Sequence, residues 1–195
     1  MVVVGLGNPG SVYADTRHNA GFMVADEVVR QLHLSFRKVL FHPCEMCSLN
    51  KRVFQKQKQY LVKPLTYMNL SGKILPFVFK KTNSLPADLV VVCDNMDLPP
   101  GIVKIKHGGS TAGHNGVKSV LEHAGETDFL RLYVGIGRPG KGVSVIDHVL
   151  GIPDMREKVL LQSGVQRAAD AVIQLMKGTA EQKVMNEFNR KTDSN

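Results

Sequence analysis

The groups best suited to chemistry are concentrated in the first twenty residues. A short apolar run, 1–4, breaks into a glycine-bearing loop that supplies two amides, an aromatic ring and an imidazole: Asn8, Tyr13, His18 and Asn19. Glycine lets the backbone approach a ligand closely, amides donate and accept hydrogen bonds, and imidazole exchanges a proton near neutral pH. Segment 1–19 therefore has the composition of an active-site loop, with His18 as the candidate general base.

A carboxylate that could support this imidazole follows a second apolar run. Residues 89–93 are continuously apolar and lead into Asp94, which is typical of a strand buried on both faces with a polar group at its carboxyl end. In open α/β sheets, ligands bind at the carboxyl ends of the strands. We therefore expect Asp94 and His18 to meet at one edge of a parallel sheet, where the acid would orient the imidazole.

A second glycine-rich loop, 107–116, brings more polar side chains to the same edge. It contains His114 and Asn115 and precedes a predicted helix. Three asparagines, Asn8, Asn69 and Asn115, share this edge in the predicted sheet. Their amides suit the recognition of a peptide backbone and of a developing oxyanion. The ordinary alternative for each asparagine alone is a cap or a turn.

Periodic apolar residues predict the elements that position these groups. The predicted helices cover 20–32 with Asn19 as cap, a segment after Pro64 with Asn69 or Ser71 as cap, a segment after residue 116, and about 154–190. The predicted strands are 46–49, 60–62, 89–93, 102–106 and 129–137, with a polar turn or hairpin at 51–59. This alternation indicates an α/β fold, a single-domain three-layer sandwich over 1–195 with a mixed, mostly parallel central sheet flanked by helices.

Composition and charge narrow the class of protein. The chain has 195 residues, is 43% hydrophobic and carries a net charge of +8 that is spread along its length. This balance suggests a polyanionic partner. The chain has three cysteines, no export-signal pattern and no apolar run of membrane-spanning length. These features predict a protein of the reducing cytoplasm.

Three motifs have alternative interpretations that the sequence disfavours. The G-x-G-x-x-G spacing at 5–10 fits a dinucleotide fingerprint, but Pro9 interrupts it and polar residues separate it from the first helix. Ser110 lacks the final glycine and the tight turn of a nucleophile elbow. Cys44 and Cys47 have redox or metal spacing without a second ligand pair, so two ordinary thiols are favoured. No plausible metal set remains.

Several blocks of the sequence, taken together, resemble bacterial peptidyl-tRNA hydrolase. They follow the family's order within the first 150 residues: Val4-Gly-Leu-Gly-Asn-Pro-Gly10, Tyr13, Thr16-Arg-His-Asn-Ala-Gly21, Pro64-Leu-Thr-Tyr-Met-Asn-Leu-Ser-Gly72, Asp94 with Asp97-Leu-Pro99, Gly113-His-Asn-Gly116, and Phe129 with Gly135-Ile-Gly137. Each block alone is weak, whereas the joint match is specific.

The resemblance implies an activity. It implies an esterase without metal or other cofactor that cleaves the bond between a nascent peptide and the 3′-terminal ribose of tRNA. His18 would be the general base that activates water, and Asp94 would hold and polarise its imidazole. The implied partner is peptidyl-tRNA, and the implied state is a cytoplasmic monomer.

The resemblance also implies the binding groups. Asn8 would bond near His18 and the 3′ end of the substrate, while Asn69 and Asn115 would hold the peptide main chain. The cleft would be lined by Tyr13, Tyr67, Met68 and His114. The tRNA phosphates would be contacted by four basic residues, Lys104, Lys106, Arg138 and Lys141.

The chain departs from the family pattern at a few positions. Asn95 stands where a second acid is usual, and Tyr133 stands where some members carry a phosphate-binding arginine. Segment 110–112 is bulkier than the usual glycine-rich stretch. Two rival interpretations stay open: an RNA-binding relative without catalysis, which the presence of both His18 and Asp94 disfavours, and a relative with an RNA role in an organelle.

Overall fold

The computed structural model describes residues 1–49 and 58–190. Its strands are β1 (Val2–Gly5), β2 (Arg37–Lys38), β3 (Cys44–Leu49), β4 (Gln59–Pro64), β5 (Leu89–Asn95), β6 (Val103–His107) and β7 (Leu130–Gly135). Within the described residues these strands form one sheet in the order β2-β3-β4-β1-β5-β7-β6. The predicted polar turn at 51–59 lies outside the described residues, apart from its last two positions.

The sheet is parallel at its centre and antiparallel at both edges. Strands β4, β1, β5 and β7 are parallel neighbours. Strand β3 pairs antiparallel with β4, β2 with β3, and β6 with β7. The predicted mixed, mostly parallel sheet is therefore confirmed. The two-residue strand β2 was not predicted, because so short a segment shows no periodicity.

The described helices surround this sheet. They are α1 (Ala20–Gln31), α2 (Leu75–Thr82), α3 (Asn115–Ala124), α4 (Val145–Leu150), α5 (Met155–Met176) and α6 (Glu181–Phe188). Short 3-10 helices cover Ser11–Tyr13, Arg17–Asn19, Met68–Ile74 and Pro86–Asp88. The longer helices were predicted, whereas the six-residue α4 was not. None of the helices in this part of the chain combines the length and the apolar character needed to cross a membrane.

Asn19 lies at the predicted cap position of α1, whereas the cap predicted for α2 is wrong. Asn19 precedes α1, but its side chain makes no capping bond and instead contacts the backbone of Asn8. A 3-10 helix precedes α2, whose cap position falls on Ile74. Asn69 and Ser71 lie too early in the chain to cap α2. The hydroxyl of Ser71 donates to Met68 O instead, at 2.8 Å.

Alternate residues of the central strands pack on opposite faces of the sheet. Val3, Val90 and Val92 belong to a core cluster that includes buried residues of α1 and α5. Val2 and Val91 belong to a second cluster, which includes buried residues of α2 and α3. Two helical layers therefore enclose the sheet, and its central strands are apolar on both faces.

The two cysteines with C-x-x-C spacing are separated by the sheet. Cys44 and Cys47 lie three residues apart on β3, and they belong to the core clusters on opposite faces. Burial raises the pKa of both thiols. This placement and the raised pKa values are what two ordinary buried thiols would show.

Candidate active site

The segment that carries His18 is held at the carboxyl edge of the sheet by a close packing of backbones. Leu6 N donates to Val92 O at 2.9 Å, and Phe22 N donates to Leu6 O at 3.1 Å. A Cβ atom added to Gly21 would lie 2.3 Å from Val92 O and 2.5 Å from Leu6 N. Glycine is therefore required at position 21, since it lets the start of α1 rest directly on β1 and β5.

His18 and His114 share one carboxylate oxygen. Asp94 is the penultimate residue of β5 and is 3% exposed. Its Oδ1 lies 2.8 Å from His18 Nδ1 and 3.1 Å from His114 Nε2. The two imidazole rings lie 4.8 Å apart, centroid to centroid. The structure thus brings together His18 and Asp94, as sequence order predicts, and adds His114 as a second partner. We call these three residues the histidine–aspartate cluster.

The backbone of α3 determines which nitrogen of His114 carries the proton. His114 Nδ1 accepts hydrogen bonds from Gly116 N at 3.1 Å and from Val117 N at 3.2 Å. These contacts cap α3 and require a lone pair on Nδ1. The proton of neutral His114 is therefore on Nε2, which donates to Asp94.

Asp94 acts as an ionised acceptor. Burial disfavours the charged carboxylate, but the charges of His114 and His18 and their hydrogen bonds outweigh burial and hold the pKa of Asp94 well below its usual range. A carboxylate only accepts hydrogen bonds, so His18 Nδ1 must donate to it. Neutral His18 consequently carries its lone pair on Nε2, the atom that a general base needs.

Asn8 bonds two segments of the chain, the one that contains Met68 and the one that contains Asn19, which follows His18. It is 6% exposed, and its Oδ1 accepts a hydrogen bond from Met68 N at 2.8 Å. Its backbone N–H donates to Asn19 Oδ1 at 2.8 Å, and Asn19 Nδ2 donates to Asn8 O at 3.0 Å. Asn19 is therefore the residue that fixes Asn8. Among the described residues no hydrogen-bond acceptor is assigned to Asn8 Nδ2.

A pocket of about 100 Å³ opens beside the cluster. Its lining combines the three cluster residues with Asn115, Thr111 and Tyr133 and with apolar side chains of α4: Val145, Ile146 and Val149. The predicted amide Asn115 is exposed at the start of α3. The pocket therefore presents titratable groups on one side and an apolar helix on the other.

The remaining predicted cleft residues lie on the 3-10 segments. The rings of Tyr13 and Tyr67 meet edge to face with centroids 6.4 Å apart. Tyr67 and Asn69 are exposed, whereas the side chain of Met68 is 5% exposed. The sulfur of Met68 lies where a side chain at Gly116 would begin, so Met68 packs into the interior between the loops.

The four predicted phosphate-binding residues lie on the surface, and we call them the basic rim. They are Lys104, Lys106, Arg138 and Lys141, and all four are exposed. Lys106 Nζ lies 5.5 Å from the ring centroid of Tyr133, on the neighbouring strand. Arg138 Nη2 lies 2.5 Å from Asp97 Oδ1. Asn95 Oδ1 in turn accepts a hydrogen bond from Asp97 N at 2.7 Å.

The histidine–aspartate cluster is also the group of described residues best spaced for a metal ion. Its potential ligand atoms all lie within 4.8 Å of one another. Asp94 Oδ1 already has both imidazoles as partners, and His114 Nδ1 already accepts from the backbone. A metal ion would have to replace these bonds, so the donor set fits a hydrogen-bonded cluster better than a metal site.

Comparison with known proteins gives the class to which this fold and site belong. The family model described as peptidyl-tRNA hydrolase matches residues 2–195. The peptidyl-tRNA hydrolase of Lactococcus lactis subsp. cremoris is 40% identical over 188 residues, which are 96% of this chain and 98% of that protein. The Bacillus subtilis peptidyl-tRNA hydrolase is 40% identical over 192 residues, which are 98% of this chain and 99% of that protein.

Solved structures show the same likeness. The crystal structure of peptidyl-tRNA hydrolase from Acinetobacter baumannii matches with a TM-score of 0.89 and 32% identity, covering 99% of this chain and 96% of that one. The chain belongs to the peptidyl-tRNA hydrolase family and is a hydrolase. The resemblance drawn from the sequence is thereby confirmed.

Two contributions to the site were not anticipated from the sequence. His114 was expected to line the cleft, and in addition to lining the pocket it bonds Asp94 directly and caps α3. Asn19 was expected to cap α1, whereas it holds Asn8. A signal for His114 exists in its position directly before a helix, where a side-chain acceptor is needed. No local signal distinguishes Asn19 from an ordinary cap.

Proposed function

We propose that the chain hydrolyses the ester bond between the peptide and the 3′-terminal ribose of peptidyl-tRNA with His18 as general base. The observation that carries this proposal is the shared Asp94 oxygen, 2.8 Å from His18 Nδ1, which leaves the lone pair of neutral His18 on Nε2. A base so oriented needs neither a metal ion nor a covalent intermediate, because an ester is already activated toward water.

The first step forms a tetrahedral intermediate. His18 Nε2 takes a proton from water while the water oxygen forms a bond to the ester carbonyl carbon. The electron pair of the carbonyl moves to its oxygen, and the resulting imidazolium is stabilised by Asp94. We assign the stabilisation of this oxyanion to the amide nitrogen of Asn8, because Asn8 is held from both sides by Met68 and Asn19.

The second step releases the tRNA. The oxyanion reforms the carbonyl, the bond to the ribose 3′ oxygen breaks, and His18 Nε2 returns its proton to that oxygen. The products are a peptide with a free carboxyl group and a tRNA with a free 3′ hydroxyl. Nε2 is neutral again at the end of the step, so no proton has to be supplied from elsewhere.

Substrate binding is divided between the cleft and the basic rim. Asn69 and Asn115 are exposed amides that we assign to the peptide main chain. The edge-to-face rings of Tyr13 and Tyr67 form an aromatic wall of the cleft. The basic rim is assigned to tRNA phosphates, which carry no sequence information and suit an enzyme that accepts many tRNAs.

The direct test compares two esters that differ only in the amino group. Wild type is incubated with N-acetyl-aminoacyl-tRNA and with unblocked aminoacyl-tRNA, each in the presence of a chelator. We expect cleavage of the blocked ester only, and loss of this cleavage in His18→Ala. The absence of cleavage by folded wild type would refute the activity and favour an RNA-binding relative. Cleavage that the chelator stops would refute the metal-free mechanism.

We further propose that the enzyme is a monomer and acts in the cytoplasm, where peptidyl-tRNA is produced. Sedimentation of the purified chain, with and without tRNA, tests the first of these proposals. A dimer at assay concentration would contradict it. Localisation of a tagged chain in its own cell tests the second, and confinement to an organelle would support the rival with a different RNA role.

A further inference from the structure

Arg17 joins the turn that carries His18 to the helix on the far side of the pocket. Its Nη1 lies 3.2 Å from His148 O and 3.1 Å from Gly151 O. Its backbone N–H donates to Gly151 O at 3.2 Å. Its Nη2 forms an ion pair with Glu157 near the start of α5. Only 12% of the Arg17 side chain is exposed, so these partners surround it.

The partners of Arg17 require a guanidinium group. Arg17 reaches two carbonyl groups at the C-terminal end of α4, those of His148 and Gly151. A guanidinium has five donors in a plane and can bind two carbonyls and a carboxylate together, whereas an ammonium is a point charge. The start of α5, on which Glu157 lies, is capped by Asp154, whose Oδ1 accepts from the backbone N–H of Glu157 at 2.8 Å.

The approach of Arg17 to α4 depends on the residue that follows this helix. A Cβ atom added to Gly151 would lie 3.1 Å from Arg17 Nη1 and 2.7 Å from Asp147 O. The structure therefore has space for the guanidinium because residue 151 has no side chain. The Arg17 side chain therefore fits closely among its partners. It differs in this respect from Arg30, which pairs with Glu27 and is exposed.

Helix α4 is anchored at two places and forms the apolar side of the pocket. His148 Nε2 lies 2.9 Å from Gly137 O, just beyond β7, and Arg17 bonds the carbonyl groups of His148 and Gly151 at the C-terminal end of the helix. Val145 and Val149 of this helix line the pocket that His18 also lines. The distance between the base and this apolar wall is therefore set partly through Arg17.

We propose that Arg17 is a positioning residue that fixes the α4 wall of the pocket relative to the His18 imidazole. This inference rests on the proposed function, since it concerns the placement of the ester against His18 Nε2. Arg17 bonds only protein groups and does not contact the reacting atoms. Loosening it would let the ester occupy the pocket in orientations that the activated water does not reach, which lowers the rate more than the affinity.

The test uses three variants and two readouts. Arg17→Gln and Arg17→Lys are compared with Arg30→Gln, which removes an exposed arginine–glutamate pair on α1. For each, the single-turnover rate of N-acetyl-aminoacyl-tRNA cleavage and the tRNA dissociation constant are measured well below the unfolding temperature. We expect the rate of Arg17→Gln to fall by about tenfold to a hundredfold. Its tRNA dissociation constant should stay within about twofold of the wild-type value, and its rate should change with pH in the same way as the wild-type rate.

The Arg30→Gln control and the conservative Arg17→Lys variant test whether the loss of rate is specific to the guanidinium of Arg17. Arg17→Lys should recover part of the rate, because it keeps the charge beside Glu157 but loses one carbonyl contact. Arg30→Gln should match wild type. A Glu157→Gln variant combined with Arg17→Gln should be no slower than Arg17→Gln alone, since both act through one contact.

Hydrogen exchange gives a readout that does not require activity. Arg17→Gln should speed amide exchange at His148 and Gly151, while the amides of α3 keep their wild-type rates. A wild-type cleavage rate in Arg17→Gln would overturn the proposal, as would unchanged exchange in α4. If wild type itself fails to cleave the ester, the proposed function fails, and the exchange experiment still tests the contact between Arg17 and α4.

Discussion

The histidine–aspartate cluster and the basic rim differ in burial and in how firmly their side chains are held. Asp94 is 3% exposed, and both of its imidazole partners bond it directly. On the rim, Arg138 has 77% of its side chain exposed and pairs with Asp97. Charges in the interior interact strongly because the dielectric constant is low, whereas exposed charges are screened by water and salt.

This difference separates two tasks. A fixed, buried cluster can place a lone pair on one nitrogen, which is what proton transfer demands. Exposed cations on flexible side chains can follow the phosphates of many tRNAs without a fixed geometry. Changes in the cluster should therefore lower the rate at saturating substrate, and changes on the rim should alter binding and its salt dependence. A cluster variant that weakens tRNA binding, or a rim variant that lowers the rate at saturating substrate, would contradict this division.

The largest effect is expected for His18→Ala. The change removes the base but leaves the basic rim intact, so the single-turnover rate should fall by about 10²–10⁴-fold. The tRNA dissociation constant should stay within about twofold of wild type. Rapid-mixing cleavage assays and tRNA binding by fluorescence anisotropy measure the two quantities. Loss of affinity in parallel with the rate would show that the cluster also serves binding.

A smaller loss is expected for Asp94→Asn. The amide can still fill the site but cannot stabilise an imidazolium, and its nitrogen cannot accept a bond from either histidine. The cleavage rate should fall on the order of 10²-fold, with tRNA affinity unchanged. Asp170→Asn, an exposed acid of α5 that bonds Gln31, is the matched control and should keep the wild-type rate. Equal rates for the two variants would remove Asp94 from the mechanism.

An intermediate effect is expected for His114→Ala. This variant removes one partner of Asp94 and the cap of α3 but leaves the bond between Asp94 and His18. The rate should fall about tenfold, since only the orientation of the carboxylate is disturbed. The control is His123→Ala, because His123 contacts Ser119 O within the same helix and lies away from Asp94. A loss as large as that of His18→Ala would contradict a merely orienting role for His114.

The smallest effect on the rate is expected for Lys106→Ala. Removing one phosphate contact should weaken tRNA binding, while the rate at saturating substrate is retained. The plot of the logarithm of the tRNA association constant against the logarithm of the salt concentration should become less steep by about 0.9. Lys177→Ala replaces an exposed lysine beyond the end of α5 and should leave the slope unchanged. An unaltered slope for Lys106→Ala would remove this residue from the phosphate contacts.

The sequence was sufficient to place His18 beside Asp94. Both residues follow apolar strands, β1 and β5, that are parallel neighbours, so their loops must emerge at the same edge. The longer helices also follow from apolar periodicity. Strand β2 and helix α4 were missed because two and six residues do not reveal a period. The antiparallel direction of β6 depends on the path of the chain and has no local signal.

The parts of the site that escaped prediction all depend on contacts between distant segments. Whether His114 reaches Asp94 depends on the path of loop 108–113, in which Ala112 takes φ +47°. Asn19 has the residue type and position of a helix cap, but its partner Asn8 lies on the preceding loop. Arg17 gives no sign that its partners lie more than 130 residues away. Residue type indicates what a group can bond, and only the fold determines which partner it meets.

The central claim is that His18 acts as a base oriented by a carboxylate that stays ionised. Because the folded pKa of Asp94 is held well below its usual range, its charge stabilises the fold above the unfolded pKa of about 3.9 and is lost only in stronger acid. A change of the cleavage rate in mild acid is therefore not caused by loss of the Asp94 charge. The decisive measurement is the single-turnover cleavage rate of N-acetyl-aminoacyl-tRNA between about pH 5 and pH 8.

Wild type and His18→Ala are compared over this range. We expect the wild-type rate to show a pH-dependent transition over this range, because general-base catalysis requires the Nε2 lone pair of His18. The His18→Ala variant should retain a small residual rate without that transition. The same transition in His18→Ala, at a comparable rate, would contradict the account, because another group would then be the base.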